Sequence, residues 1–440
     1  MAGSTAVSQD AADVRATVAS AAESNALTDS CTDAQIGSRT AALIDSLVAD
    51  RTTANARFFA DEAERIARLC HAMAQRFARH GRLIAMGLSP EALSDARHVA
   101  VEFVHPVIVG KRALPALGFA RNSGLLPLQT ELLARPDDIV IVFGTAEEPE
   151  AGELRAALSV ARARGCLTIA FASLGAEWEF TPPQTDPFIR QELIETLYHL
   201  LWELVHVFFE HGGMLDEPSA IARPDIGPSG FLYPSLTGGV AGDDTRAAVL
   251  TDVGRSIVMK AEEVSALRAC TVNEGRETIA MAAAALRSVF DAGGTLFAFG
   301  NGGSATDAMD AVADFREAPQ GWPNRRALDL TEDPAILTAL ANDIGTEALF
   351  SRQIIAFARA GDAVLAFSTS GSSPNVILAL AESRRRGLVT IALVGYDGGR
   401  VLAERLADYV IVTRSQHVPR IQEAQASAYH ILRELVETSS

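Results

Sequence analysis

At 440 residues, 48% hydrophobic and 21% charged, the chain has the length for two domains and the composition to give each a sizeable core. Its formal charge of -17, with no basic run longer than Arg384-Arg385-Arg386, excludes a nucleic-acid backbone as an expected partner. Cys31, Cys70, Cys166 and Cys270 are scattered without a C-x-x-C pair, so they read as reduced thiols of a cytoplasmic protein rather than a disulfide framework or a metal knot.

Residues 1–31 are rich in Ala, Ser and Asp, lack a basic region followed by an apolar run, and read as a flexible tail rather than a leader. Residues 32–212 then read as an amphipathic helix through Ala60 to Arg79, a strand in Gly81 to Gly87 and a helix through His98 to His105. Buried-type strands follow in Asp138 to Phe143 and Gly165 to Phe171, with a long helix from Pro187 to Glu210. Within that helix Leu197 to Phe209 is the most apolar run, but His199, Glu203 and His206 interrupt it, which predicts core or subunit interface and no membrane span. Residues 213–244, rich in Gly, Pro and Ser, form the expected linker.

Residues 245–440 repeat the same programme: a helix through Ile279 to Phe290, a strand in Gly293 to Gly300 and a helix through Asp307 to Phe315. Strands in Asp362 to Phe367 and Gly387 to Leu393 and a closing helix from Pro419 to Glu437 complete it. Strands alternating with helices predict an α/β protein of two tandem, doubly wound, flavodoxin-like parallel sheets, whose ligands bind outside the carboxyl ends of the strands.

Two loops of the second repeat lie at such ends. Gly300-Asn-Gly-Gly-Ser304 follows a strand and opens a helix, which aims bare N–H groups and a helix dipole at an anion. Ser368-Thr-Ser-Gly-Ser-Ser373 adds hydroxyl donors before the next helix, so the pair suits a phosphate monoester held by hydrogen bonds.

These loops, with Arg420 to His430, carry a resemblance to the sugar isomerase (SIS) domains, and among them to the phosphoheptose isomerases. The family's G-N-G-G-S-x-x-D-A, S-T-S-G-x-S and R-I-Q-E-x-x-x-x-x-x-H patterns appear as Gly300 to Ala308, Ser368 to Ser373 and Arg420 to His430. The resemblance implies that Asn301, Gly302, Ser304, Ser368, Thr369, Ser370 and Ser373 hold a phosphate, and that Asp343 and Gln422 approach the sugar. The implied reaction is aldose-ketose isomerisation of sedoheptulose 7-phosphate to a heptose 7-phosphate. A homo-oligomer is also implied, a dimer of such chains making a pseudo-tetramer of SIS units.

The two repeats have lost complementary parts of that pattern. Where the family carries His and Glu one helical turn apart, the second repeat has Asp310 and Asp314, while the first keeps His98 and Glu102, with Gln191 and His199 matching Gln422 and His430. The first repeat's loops are degraded to Gly87-Leu-Ser-Pro-Glu91 and Gly144-Thr-Ala-Glu-Glu148, where Glu147 and Glu148 oppose a phosphate. Ser304 and Asp314 are ten residues apart, about 15 Å along a helix, farther than a sugar phosphate reaches. The expectation is a composite site: phosphate on the second repeat's loops, Glu102 of the first as base, and His199 or His430 as acid. His98, Glu102, Gln191 and His199 are the ligand types that some phosphoheptose isomerases use for zinc. Gln191 and His199, however, lie about 12 Å apart on one helix, so one ion takes both only if one comes from another copy. The rival expectation is a non-catalytic regulatory or assembly protein that binds a sugar phosphate without converting it.

Overall fold

A computed structural model describes the backbone of residues 7–107, 111–119, 124–182, 186–210, 215, 243–319 and 321–438. The first unit runs α1 (Val7–Ala78), β1 (Leu83–Met86), α2 (Pro90–Val104), β2 (Ala116–Gly118), α3 (Leu126–Leu133), β3 (Ile139–Val142), α4 (Ala151–Ala163), β4 (Leu167–Ala170), β5 (Trp178–Glu179) and α5 (Pro187–Glu210). The second runs α6 (Asp243–Asp291), β6 (Leu296–Phe299), α7 (Gly303–Arg316), β7 (Ala327–Asp329), α8 (Pro334–Asp343), α9 (Leu349–Phe357), β8 (Ala363–Ser368), α10 (Pro374–Arg385), β9 (Val389–Val394), α11 (Gly399–Ala403), β10 (Tyr409–Val412) and α12 (Val418–Thr438).

Each unit is a five-stranded, all-parallel sheet, in the orders β2-β1-β3-β4-β5 and β7-β6-β8-β9-β10, so the internal repeat of the sequence is a repeat of topology. The central strands, Leu-Ile-Ala-Met, Ile-Val-Ile-Val, Leu-Phe-Ala-Phe and Ala-Val-Leu-Ala-Phe-Ser, are buried along their whole length, as continuous apolar strands covered by helices on both faces must be. In both sheets the chain reverses its winding between the first and third strands of the unit, so the loops after β1 and β3, and after β6 and β8, open at a topological switch point.

The long helices α1 and α6 bind the units together. Ile44 of α1 is buried in the core beneath the second sheet, with Leu43, Leu47 and Val48 packed against it. Val249, Val253, Ile257 and Ala261 of α6 lie in the core beneath the first. Residues 7–31, read from sequence as a tail, are the opening turns of α1; their Ala-rich composition favours a helix. Most of the linker at 213–244 lies outside the described residues, and Asp243 and Asp244 already belong to α6. No helix among the described residues is long and apolar enough to cross a membrane.

Candidate functional site

The second unit's loops leave their donors free. After β6 the chain turns through Gly302, at φ 59, into α7; the Ser304 and Ala305 N–H groups bond the Asn301 and Gly302 carbonyls at 3.1 and 2.9 Å, and those of Gly302 and Gly303 stay open. Ser373 caps α10 without a side-chain hydrogen bond. The Asn301 and Asn375 amides exchange hydrogen bonds at 3.0 and 2.8 Å and tie the two loops together. Ser368 Oγ accepts the Gly371 N–H at 3.1 Å and Ser370 Oγ accepts that of Ser372 at 3.2 Å, leaving each hydroxyl hydrogen for a ligand. Asp343 stands exposed at the end of α8, where its carboxylate accepts from the Asn342 amide at 2.7 Å and faces solvent.

Helices α2 and α7 pack on each other, and Ser94 Oγ donates to the Thr306 carbonyl at 2.9 Å across the joint. This brings His98 of the first unit onto the glycine loop of the second. A Cβ on Gly303 would fall 2.0 Å from the Gln422 side-chain nitrogen and 2.8 Å from His98 Nε2, so no larger residue fits there. Around that point His98 Nε2 lies 3.3 Å from His199 Nε2, 3.1 Å from Gln422 Nε2 and 4.0 Å from Glu102 Oε1. Helices α2, α5 and α12 therefore converge four buried side chains, three from the first unit and one from the second, on the loop of α7.

Neighbouring groups set the protonation of this cluster. Burial pushes His98 well below the usual imidazole range, and His199 beside it adds to the effect. His98 is therefore neutral: its Nε2 accepts from His199 and Gln422, and its Nδ1 donates to the Tyr198 oxygen at 2.9 Å. Burial also opposes charge on His199, but the Glu423 carboxylate, 3.0 Å from its Nδ1, outweighs it and raises its pKa. Glu423 itself stays ionised against its burial because Arg420 bonds it at 2.7 and 2.8 Å. Glu102, 3% exposed, is raised above the ordinary carboxylate range chiefly by burial.

The pseudo-equivalent residues make a second arrangement at the first unit's loops. His430 Nε2 faces Asp314 Oδ2 at 3.4 Å, and its Nδ1 donates to Glu192 at 2.8 Å, as His199 does to Glu423. Asp314 and Gln191 line a cavity with Ser89, Gly144 and Glu148. His430 and Gln191 thus stand apart from the His98 cluster, and Gln422 occupies the place beside His98 and His199 that the sequence reading gave to Gln191. The exchange arises because each long helix crosses between units, so a glutamine and a histidine eight residues apart serve different clusters. The degraded loops fill themselves: Ser89 Oγ caps α2 by accepting the Ala92 N–H at 3.3 Å, and Glu148 Oε1 accepts the Thr145 N–H at 3.0 Å. Glu147 is exposed.

Tyr198, Glu423, Glu195 and Asp307 carry no role in the expectations above, although Asp307 and Glu423 stand within the G-N-G-G-S-x-x-D-A and R-I-Q-E patterns. Glu195 and Asp307 bring carboxylate oxygens within 4.8 Å of a His98 nitrogen and of each other, and burial raises both. The repeat itself offered a signal for two of the four, since Tyr198-His199 recurs as Tyr429-His430 and Gln191-Glu192 as Gln422-Glu423. The donor atoms of His98, Glu102 and His199 also lie within 4.8 Å of one another. Both imidazoles direct Nε2 inward while Nδ1 is held from outside, the usual setting of metal-bound histidines, so the residues fit a zinc-type ion.

The SIS domain model matches residues 261–395. The phosphoheptose isomerase of Citrifermentans bemidjiense is 45% identical over 152 residues, covering 34% of this chain and 77% of that protein. That of Paramagnetospirillum magneticum is 42% identical over 180 residues, covering 38% of this chain and 92% of its own. Among solved structures, the C-terminal domain of glucosamine-fructose-6-phosphate aminotransferase from Francisella tularensis matches 89% of this chain and 93% of its own at TM-score 0.54 and 9% identity. Tagatose-6-phosphate ketose/aldose isomerase from Escherichia coli matches 90% of this chain and 92% of its own at TM-score 0.53 and 13% identity. At such identities these two likenesses concern the fold, and they extend over both units.

Proposed function

Because the chain belongs to the phosphoheptose isomerase family of SIS-domain proteins, we propose that it interconverts sedoheptulose 7-phosphate and a heptose 7-phosphate at one composite site per chain. The observation that carries this reading is the seating of His98, with Glu102 and His199 beside it, against Gly303 of the second unit's loop. A phosphate on the open N–H and hydroxyl donors of Gly300–Ser304 and Ser368–Ser373 leaves the sugar chain to run toward that cluster.

In the ketose-to-aldose direction, Glu102 takes a proton from C1 while His199 gives one to the C2 carbonyl oxygen, producing an enediol. Glu102 then returns its proton to C2, and the O1 hydroxyl loses its proton to His199 as the C1 carbonyl forms. Burial gives Glu102 the raised basicity a carboxylate needs near neutrality, and Glu423 keeps His199 charged enough to donate. These acid and base roles belong to the metal-free site; His98, Glu102 and His199 are the residues that would hold zinc, and a bound ion would replace the His199 proton in polarising the sugar's carbonyl and hydroxyl oxygens. Nothing comparable serves a phosphate at the first unit's loops, where Glu148 already takes the N–H that an anion would use.

The test is incubation of the purified protein with sedoheptulose 7-phosphate, followed by NMR with and without a chelator. An aldose C1 signal is expected. Binding without conversion in either condition would make the protein a sugar-phosphate binder instead.

A further inference from the structure

The cavity at the first unit's loops has about 190 Å³ of space and opens to solvent. It occupies the position pseudo-equivalent to the sugar-phosphate site, but carboxyl groups line it in place of N–H and hydroxyl donors, and burial pushes Glu91 up to about 7 and raises Asp95 and Glu148 as well. Glu91, Asp95, Glu148, Asp314 and Glu317 line it against the single basic group Arg190. The His430 ring beyond the wall faces Asp314 at 3.4 Å, is shared with Glu192, and with Arg190 also acts on Asp95 through space. Asp95 is 5% exposed and its Oδ1 has no hydrogen-bond partner, and Glu148 Oε2 and the Gln191 amide nitrogen are likewise unpartnered. A carboxylate oxygen buried at the wall of a cavity without a donor costs free energy that a ligand donor would recover.

We propose that this second cavity is a binding site for a compact hydroxylated ammonium compound, of the amino-sugar or amino-alcohol class. The ammonium donates to Asp95 Oδ1 and Glu148 Oε2, and Gln191 and Arg190 serve its hydroxyls. Phe188, stacked on His430 at 4.8 Å, gives the apolar wall. A bare metal ion fits less well. Among the described residues the groupings of three donors within 4.8 Å both include His98 and belong to the other site, so the carboxylates here stand too far apart to grip one ion. The same carboxyl groups, acceptors when ionised, disfavour a phosphate, so duplication of the fold gives one chain two pockets of different preference.

The experiment is calorimetry on the full chain with D-glucosamine, D-glucose, magnesium chloride and inorganic phosphate as separate titrants. Glucosamine should bind at one site per chain at least tenfold more tightly than glucose. Glu148→Gln, on the open rim, should weaken glucosamine about tenfold and leave sugar-phosphate binding at the other loops intact. Asp95→Asn provides a second, buried probe with the same expected direction. The proposal is overturned if glucosamine binds no better than glucose, or if both variants bind it as the parent does. It is equally overturned if magnesium alone competes with glucosamine one for one, or if phosphate takes the site.

Discussion

Substitution of Glu102 by Gln separates binding from chemistry. Glu102 is buried, its Oε1 stands 4.0 Å from His98 Nε2 and its Oε2 has no hydrogen-bond partner. Gln is isosteric, fills the same volume and removes a carboxylate whose charge burial disfavours, so the fold should lose no stability. Phosphate affinity, supplied by Gly300–Ser304 and Ser368–Ser373, should stay within about twofold. Turnover should fall by the 10²- to 10⁴-fold typical of a lost general base, about 3–5 kcal/mol of transition-state free energy. The assay is initial-rate kinetics on sedoheptulose 7-phosphate beside calorimetric binding of the same sugar. Asp314→Asn provides the contrast: that carboxylate faces His430 and the self-filled loops, so the rate should change little. A nearly silent Glu102→Gln with a dead Asp314→Asn would refute the reasoning and make the second unit a self-sufficient isomerase.

Ser370→Glu should abolish sugar-phosphate binding by calorimetry. A carboxylate about 4 Å from the phosphate costs on the order of 4 kcal/mol per pair of unit charges at partly buried sites, near a thousandfold, and unchanged affinity would remove the loop assignment. The pH profile of kcat/KM should be bell-shaped, with an acid limb above the ordinary carboxylate range as Glu102 ionises and an alkaline limb above the ordinary imidazole range as His199 loses its proton. Removal of either limb by the matching variant, Glu102→Gln or His199→Asn, checks the assignment. His430, raised to about 9 from the usual 6.5 by Asp314 and Glu192 against its burial, contributes stability that is complete below about pH 6.5 and lost as pH rises through 9. The contribution is on the order of 3 kcal/mol, so Tm should drop between pH 7 and 10 in the parent and show a flatter slope in His430→Gln. Equal slopes in the two proteins would show that the imidazole is not charged in the fold.

The buried centre of each sheet was legible because parallel strands covered on both faces must be continuously apolar. Ile139–Val142 and Ala363–Ser368 carry that signal. The edges were not. Ala116–Gly118, Trp178–Glu179 and Ala327–Asp329 are two or three residues long, partly exposed, and too short for any period to emerge. The helix read at Ala60 to Arg79 is the last part of α1, whose earlier turns pack on the second unit at Ile44. Local periodicity reports that a helix has an apolar face, but not which sheet the face meets. The same holds at the site. Spacing paired His98 with Glu102, because one helical turn joins them, but the partnership of His98 with Gln422 spans 324 residues and depends on how α12 crosses the joint. Ser304 and Asp314 stand ten residues apart whatever the packing, whereas the exchange of Gln191 for Gln422 depends on it.

The central claim, a single site assembled from both units, is met most directly by a crystal structure of Glu102→Gln with sedoheptulose 7-phosphate bound. The account predicts one sugar per chain, its phosphate on the N–H and hydroxyl groups of Gly300–Ser304 and Ser368–Ser373, and C1 and C2 beside residue 102 and His199. A sugar whose phosphate sits on those loops but whose carbonyl end lies away from residue 102 and His199, or one seated in the cavity of Asp314 and Gln191, would contradict it.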